Sequence, residues 1–205
     1  MNDAPRIRKI YDISQEVFTC AVYPGDNQPE RIIASLLREG ASCNLTEIRM
    51  CAHNGTHMDA PYHFLDEGKT IDQLDPDRFI GPAYVAEHSE DLNAADAERI
   101  LQEARTCSAE CAKRILIKGN MTVTEGAAAV FAGAKIKLLG NESQTVGPIG
   151  APGNVHRILL GADLILLEGL RLGEVPVGSH LLNAAPLNLG GADGAPCRAV
   201  LLDLE

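Results

Sequence analysis

The stretch PGNVHRILLGADLILLE, residues 152–168, joins two kinds of pattern end to end. Pro152–Gly161 reads as a short helix, with Pro152 tolerated in its first turn. Asp163–Glu168 reads as a nearly all-apolar strand, which predicts burial on both of its faces. The same mixture recurs outward along the chain. Asn93–Arg105 has helical spacing, with Ala94, Ala97, Ile100, Leu101 and Ala104 on one side and Asn93 as the N-cap. Arg114–Ile117 is a short apolar strand, and Lys135–Leu139 is another. Between them, Thr122-x-x-Glu125 fits a capping box that opens an alanine-rich helix to about Ala132. Arg8–Ile13, Arg31–Arg38, Asn44–Cys51 and Pro82–His88 carry strand patterns, and Tyr23–Asp26 (YPGD) is a turn. Leu181–Leu189 and Arg198–Leu204 close the chain as extended segments. Strands outnumber helices, in strand-only runs as well as in alternation with helices. This predicts an α/β protein: a single mixed domain over residues 1–205 with layered β-sheets and packed helices.

Composition narrows the function. A length of 205 residues with 45% apolar content allows one sizeable core. With no Trp and 4% aromatics, that core is aliphatic. A formal charge of −10 argues against nucleic acid, whose phosphates attract basic surfaces, and less strongly against an anionic membrane. The six cysteines show no CxxC and no dense pattern, which predicts reduced thiols in the cytosol. Cys107 and Cys111 have no second pair with which to build a soft-metal site and read as structural. The opening MNDAPRIRKIYDIS has no apolar segment of a secretory leader. No apolar run reaches the ~18 residues of a membrane span. The expectation is a soluble, cytoplasmic protein.

The chemistry concentrates in residues 53–63, HNGTHMDAPYH. Histidine is the commonest metal ligand, through a neutral ring nitrogen, and aspartate adds a hard, charged oxygen. Several His with one Asp suit Zn²⁺, Mn²⁺ or a similar divalent ion. Gly55 and Pro61 interrupt any helix here. In an extended chain, alternate residues share a face, so His57, Asp59 and His63 point to one side if the segment stays extended. His53 joins them if Gly55 permits a turn. The alternative is a group of solvated or core histidines. His156 and Glu168, both within the opening quotation, are further candidates. A carboxylate at the end of a buried strand must be paired, protonated or metal-bound, and Arg171 is the alternative partner for Glu168. His88 and His180 read as surface or structural. GLRLG and GADGAP are glycine-containing turns rather than a dinucleotide fingerprint, and no serine has a nucleophile-elbow context.

HNGTHMDAPYH resembles the HxGTHxDxPxH motif of the metal-dependent cyclase family, whose members include bacterial kynurenine formamidases (arylformamidases) and isatin hydrolases. YPGD is similar to the family's W/YPGD turn, residues 156–178 to its C-terminal block, and GADGAPCRAVL to its ending. The resemblance implies His53, His57, Asp59, His156 and Glu168 as metal ligands and His63 as the catalytic histidine. It implies one or two divalent ions, Zn or Mn. It also implies a mixed α/β fold in which β layers pack with helices, as a dimer or tetramer. The implied reaction is hydrolysis of a small-molecule amide or formamide, such as N-formylkynurenine in tryptophan catabolism, by a metal-activated water. A cyclic amide, imide or isatin-type substrate and a non-catalytic metal-binding protein are the alternatives. Two departures bear on the substrate: Tyr23 stands where kynurenine formamidases commonly carry Trp, and LGNESQTVGP, residues 139–148, replaces an LGIDTPS-like segment.

Overall fold

The structure, a computed structural model, describes residues 6–205. Residues 1–5, the start of the opening read above for a leader, lie outside the described residues. In chain order the strands and helices are β1 (Ile7–Asp12), β2 (Glu30–Ser35), β3 (Leu45–Arg49), β4 (His57–Asp59), β5 (Ile80–Glu87), β6 (Glu90–Leu92), α1 (Ala94–Cys107), β7 (Arg114–Lys118), β8 (Met121–Val123), α2 (Glu125–Gly133), β9 (Leu138–Asn141), α3 (Gly153–Gly161), β10 (Ile165–Glu168), β11 (Gly178–Asn183), β12 (Gly194–Pro196) and β13 (Val200–Leu204). Nine of the strands form one mixed sheet in the order β1-β13-β11-β5-β7-β9-β10-β4-β12, while β2 pairs with β3 and β6 with β8.

The middle of the sheet, β5-β7-β9-β10, is parallel. β7, β9 and β10 are buried along nearly their whole length, so their alternation divides two cores rather than core from solvent. Ile115, Ile117, Leu139, Leu164 and Leu166 point to the side where Ile100, Phe131 and Leu159 of the three helices pack. Leu116, Leu138, Ile165 and Leu167 point to the other side. There they meet Tyr11, Ala195 and Leu201 from strands towards the two ends of the same sheet, which therefore curls over its own centre. Each such aliphatic side chain, withdrawn fully from water, contributes about 1.5–3 kcal/mol. No described helix is long and apolar enough to cross a membrane.

Local chemistry sets the helix starts. Asn93 accepts from the N–H groups of Ala95 and Asp96, and Asp96 accepts from the Asn93 N–H in return, a reciprocal cap. For α2 the cap is Thr124, whose hydroxyl accepts from the Ala127 N–H. Thr122, expected to cap it, belongs to β8 and pairs with Asp91. Four strand expectations also shift. Lys135 and Asp163 take left-handed turns, at φ 52° and 62°, so β9 begins at Leu138 and β10 at Ile165. β2 ends at Ser35, and a short 3-10 turn over Leu37–Glu39 follows. β11 ends at Asn183, after which Pro186 alone bridges to Cys197. Cys111 packs in the helix-side core while Cys107 is exposed.

Candidate metal centre

The centre lies where β4 is laid antiparallel against β10. Register places Glu168 opposite His57, Leu167 opposite Met58 and Leu166 opposite Asp59. Directly opposed residues share a face. Leu166 belongs to the helix-side core, so His57, Asp59 and Glu168 all face α3. Met58 and Leu167 face the other core. His156 projects from the buried side of α3, beside Val155, Leu159 and Leu160, towards the same point.

The four side chains are nearly inaccessible to solvent and converge closely. His57 Nε2 lies 3.4 Å from Asp59 Oδ1 and 3.6 Å from Glu168 Oε2. His156 Nε2 lies 3.3 Å from Glu168 Oε1 and 3.6 Å from Asp59 Oδ2. Both rings are fixed from behind: His57 Nδ1–H donates to the Gly55 carbonyl at 3.0 Å, and His156 Nδ1–H donates to the Pro152 carbonyl at 2.9 Å. The Nε2 atoms are thereby the free nitrogens, aimed at two carboxylates. Two imidazoles, two carboxylates and a third histidine at one buried point form a donor set that fits a divalent cation. Without a cation, two anions would share a dry site at high cost.

His53 is that third histidine. Gly55 adopts φ +65°, a left-handed conformation open to glycine at little cost, and the chain doubles back. His53 Nδ1 then lies 2.9 Å from Asp59 Oδ1, and His53 Nε2 lies 2.9 Å from Asp193 Oδ2. Burial opposes a charge on this ring, but the hydrogen bonds to Asp193 and Asp59 outweigh it and push its pKa up to about 11. Burial likewise opposes charge on Asp59, and the histidines at 53 and 57 hold its carboxyl well below the usual range. Burial also works against a charge on His156, which the Glu168 carboxylate overcomes to raise its pKa.

His63 arrives by a different route from the expected one. The chain leaves the extended form at Pro61 and makes a 3-10 turn over Pro61–His63. The ring stacks on His53, centroids 4.0 Å apart, and its Nδ1–H donates to Asp193 Oδ2 at 3.0 Å. Asp193 is the residue that reading the sequence missed. It sits in GADGAP, whose glycines signal only a turn, and its partners lie 140 and 130 positions away. Arg171 does not pair with Glu168: its guanidinium donates to Gln15 Oε1 and to the Leu170 carbonyl. Glu168 instead accepts from the Val146 N–H at 2.8 Å. His180 is buried against Asp203, and His88 lies away from the centre, 3.9 Å from Asp96.

A cavity of about 260 Å³ opens over these groups, walled also by Tyr23, Asp26, Phe64, Gln144 and Thr145. Tyr23 and Asp26 come from the YPGD turn. The Phe64 ring lies 4.5 Å from that of His156. Both polar atoms of the Gln144 side chain are buried and unpartnered among the described residues. The arrangement combines a polyvalent ligand set, a histidine at the rim and a small, partly aromatic pocket.

Comparison with known proteins places the chain in a family. The family model described as "Putative cyclase" matches residues 11–146. A kynurenine formamidase of Salinibacter ruber is 34% identical over 208 residues, covering 95% of this chain and 97% of that protein. Cyclase-like protein 1 of Arabidopsis thaliana is 30% identical, covering 95% of this chain and 85% of that protein. A solved structure described as a potential metal-dependent hydrolase with cyclase activity superposes with a TM-score of 0.79 at 28% identity, over 96% of this chain and 98% of that one. With a family model spanning more than half of its length and relatives aligned almost end to end, the chain belongs to the cyclase family.

Proposed function

We propose that this chain is a metal-dependent hydrolase that cleaves the C–N bond of an amide or formamide, with arylformamides of the N-formylkynurenine type as its substrates. The observation that carries the reading is the convergence of His57 Nε2, His156 Nε2, Asp59 and Glu168 on one buried point, with both Nδ1–H groups engaged elsewhere. The substrate class is supported by the kynurenine formamidases that align along nearly the whole chain. His53, His57, Asp59, His156 and Glu168 would hold one or two divalent ions, Zn or Mn, which suit mixed nitrogen and oxygen donors. When bound, such an ion acidifies water and polarises a carbonyl as a Lewis acid.

The remaining work belongs to the protein's own groups. His63 stands at the mouth of the cavity with Nδ1–H committed to Asp193, so Nε2 is the nitrogen that takes a proton and returns it to the leaving amine. General acid–base transfer of this kind is typically worth about 10²–10⁴-fold. Phe64 and Tyr23 supply flat walls for an aryl group. Gln144 offers an unpaired carboxamide to a polar group of the substrate. The catalytic unit is a single domain. It works as a homo-oligomer, a reading supported by the β2–β3 ribbon, where Ile32, Ile33, Leu45 and Ile48 are all exposed. A lone two-stranded ribbon is marginal in water, and apolar patches of this kind mark contacts. All six cysteines are free thiols, which supports a reducing, cytoplasmic setting.

The test is metal analysis and turnover of His57→Ala and Asp59→Ala, with N-formylkynurenine, isatin and a cyclic imide as substrates. The expected result is loss of bound metal and of activity, with the formamide the preferred substrate of the unaltered protein. Unchanged metal content would end the metal-centre reading, and preference for isatin or the imide would move the substrate class. His63→Ala should keep its metal and lose turnover.

A further inference from the structure

We propose that Asp193 is a shared positioning residue, one carboxylate that orients both the metal-binding ring of His53 and the proton-carrying ring of His63. The inference rests on the reading above and extends it to a residue with no role there. Its basis is geometric. A single oxygen, Oδ2, accepts from His53 Nε2 at 2.9 Å and from His63 Nδ1 at 3.0 Å, while the two rings stack with an interplanar angle of 25°. Each ring is left with one nitrogen turned to the centre: Nδ1 of His53 lies 2.9 Å from Asp59 Oδ1, and with Nδ1 of His63 on Asp193 the opposite nitrogen, Nε2, is left for chemistry.

The carboxylate is held from its own backbone. The Asp193 carbonyl accepts from the Ala60 N–H at 2.9 Å, and the next residue, Gly194, pairs with Asp59 in the sheet. Gly194 is itself constrained, because a Cβ there would lie 2.5 Å from the Met58 carbonyl and 2.7 Å from His53 Cε1. The loop end is therefore pinned against the strand that carries the proposed metal donors, which fixes the point from which the Asp193 side chain reaches the two rings. A solvent-exposed ion pair has little structural worth, and the Asp193 side chain is 41% exposed. Its value lies in where it holds the two rings. A carboxylate behind a metal-ligating histidine fixes tautomer and direction. His57 and His156 obtain that service from backbone carbonyls. For His53 and His63 it comes from a side chain, and so can be removed by mutation.

One substitution should then register in two readouts. Zinc affinity of the full-length apoprotein, measured by chelator competition, is expected to fall about 10–100-fold in Asp193→Ala, the usual cost of losing such a partner. At saturating zinc, kcat should fall while KM stays within about twofold, the signature of a lost transition-state contribution. In a His63→Ala background, Asp193→Ala should still weaken zinc but cost no further turnover once zinc is saturating. Asp193→Asn, which keeps the shape and loses the charge, guards against misfolding, with far-UV circular dichroism as the check. Wild-type zinc affinity in both Asp193 variants would overturn the proposal, as would a full additional loss of kcat on top of His63→Ala. His57→Ala is the reference. If it loses zinc while the Asp193 variants do not weaken it, only this inference fails. If it binds zinc normally, the metal centre itself is wrong.

Discussion

Two antiparallel pairs in this chain are built from similar material and meet opposite fates. In β4–β10, HMD lies against ILLE; in β2–β3, ERIIAS lies against LTEIR. Both mix charged and aliphatic residues. Every residue of the first pair is buried, whereas the second is exposed along nearly its whole length. In the first pair, alternation turns Met58 and Leu167 to one core and aims His57, Asp59 and Glu168 into the floor of the cavity beside α3. In the second, it leaves isoleucines facing water. The lesson is about sites: inward polar groups and outward apolar ones both break the rule of burial, and each break marks a place where something else completes the structure.

The contrast can be broken in graded steps. Asp59→Ala removes a buried donor and should lower turnover by about 10³-fold or more, since a Lewis acid contributes several kcal/mol to the transition state. Stopped or steady-state assays with metal analysis would check it. Met58→Ala acts on the opposite face of the same strand. It should destabilise the fold by about 2–5 kcal/mol in urea titration while leaving the bound-metal stoichiometry unchanged. If stoichiometry fell in step with stability, the two faces of β4 would not be separable. For the homo-oligomer proposed above, replacing Ile33 and Ile48 together by Asp should yield single chains by light scattering; equal masses before and after would remove the ribbon from the proposed assembly. The smallest effect concerns acid. Burial raises the pKa of Asp203, but Arg8 and His180 lower it by more, for a net depression. Its contribution to stability is present above the ordinary carboxylate pKa, about 4, and is lost as pH falls through the depressed folded value. Asp203→Asn should therefore flatten the acid limb of a stability–pH curve slightly.

Much of this was legible in the residues. α1 could be read almost to its ends because its cap and its apolar stripe agree, and β10 because four successive apolar residues admit no exposed face. The cluster 53–63 suggested a metal site through its residue types and spacing, and the fold brings His53, His57 and Asp59 together. Other features depend on partners far away in the chain. Thr122 and Thr124 are equivalent as caps until the pairing of β8 with β6 claims the first. The route of His63 depends on Pro61 starting a turn rather than merely ending a helix. Asp193 could not be found from its neighbours, because its significance is a carboxylate-to-imidazole distance spanning two thirds of the chain.

Glu168 has a second attachment that reaches beyond the centre. One of its oxygens accepts the Val146 N–H, two residues from Gln144, and the Ser143 carbonyl is tied to Gly169 beside it. The segment proposed to discriminate among substrates is thus stapled to a carboxylate of the proposed metal centre. Engineering this enzyme for new amides by exchanging that segment will therefore disturb the inorganic site as well, and successful designs should be those that preserve the amide proton at position 146.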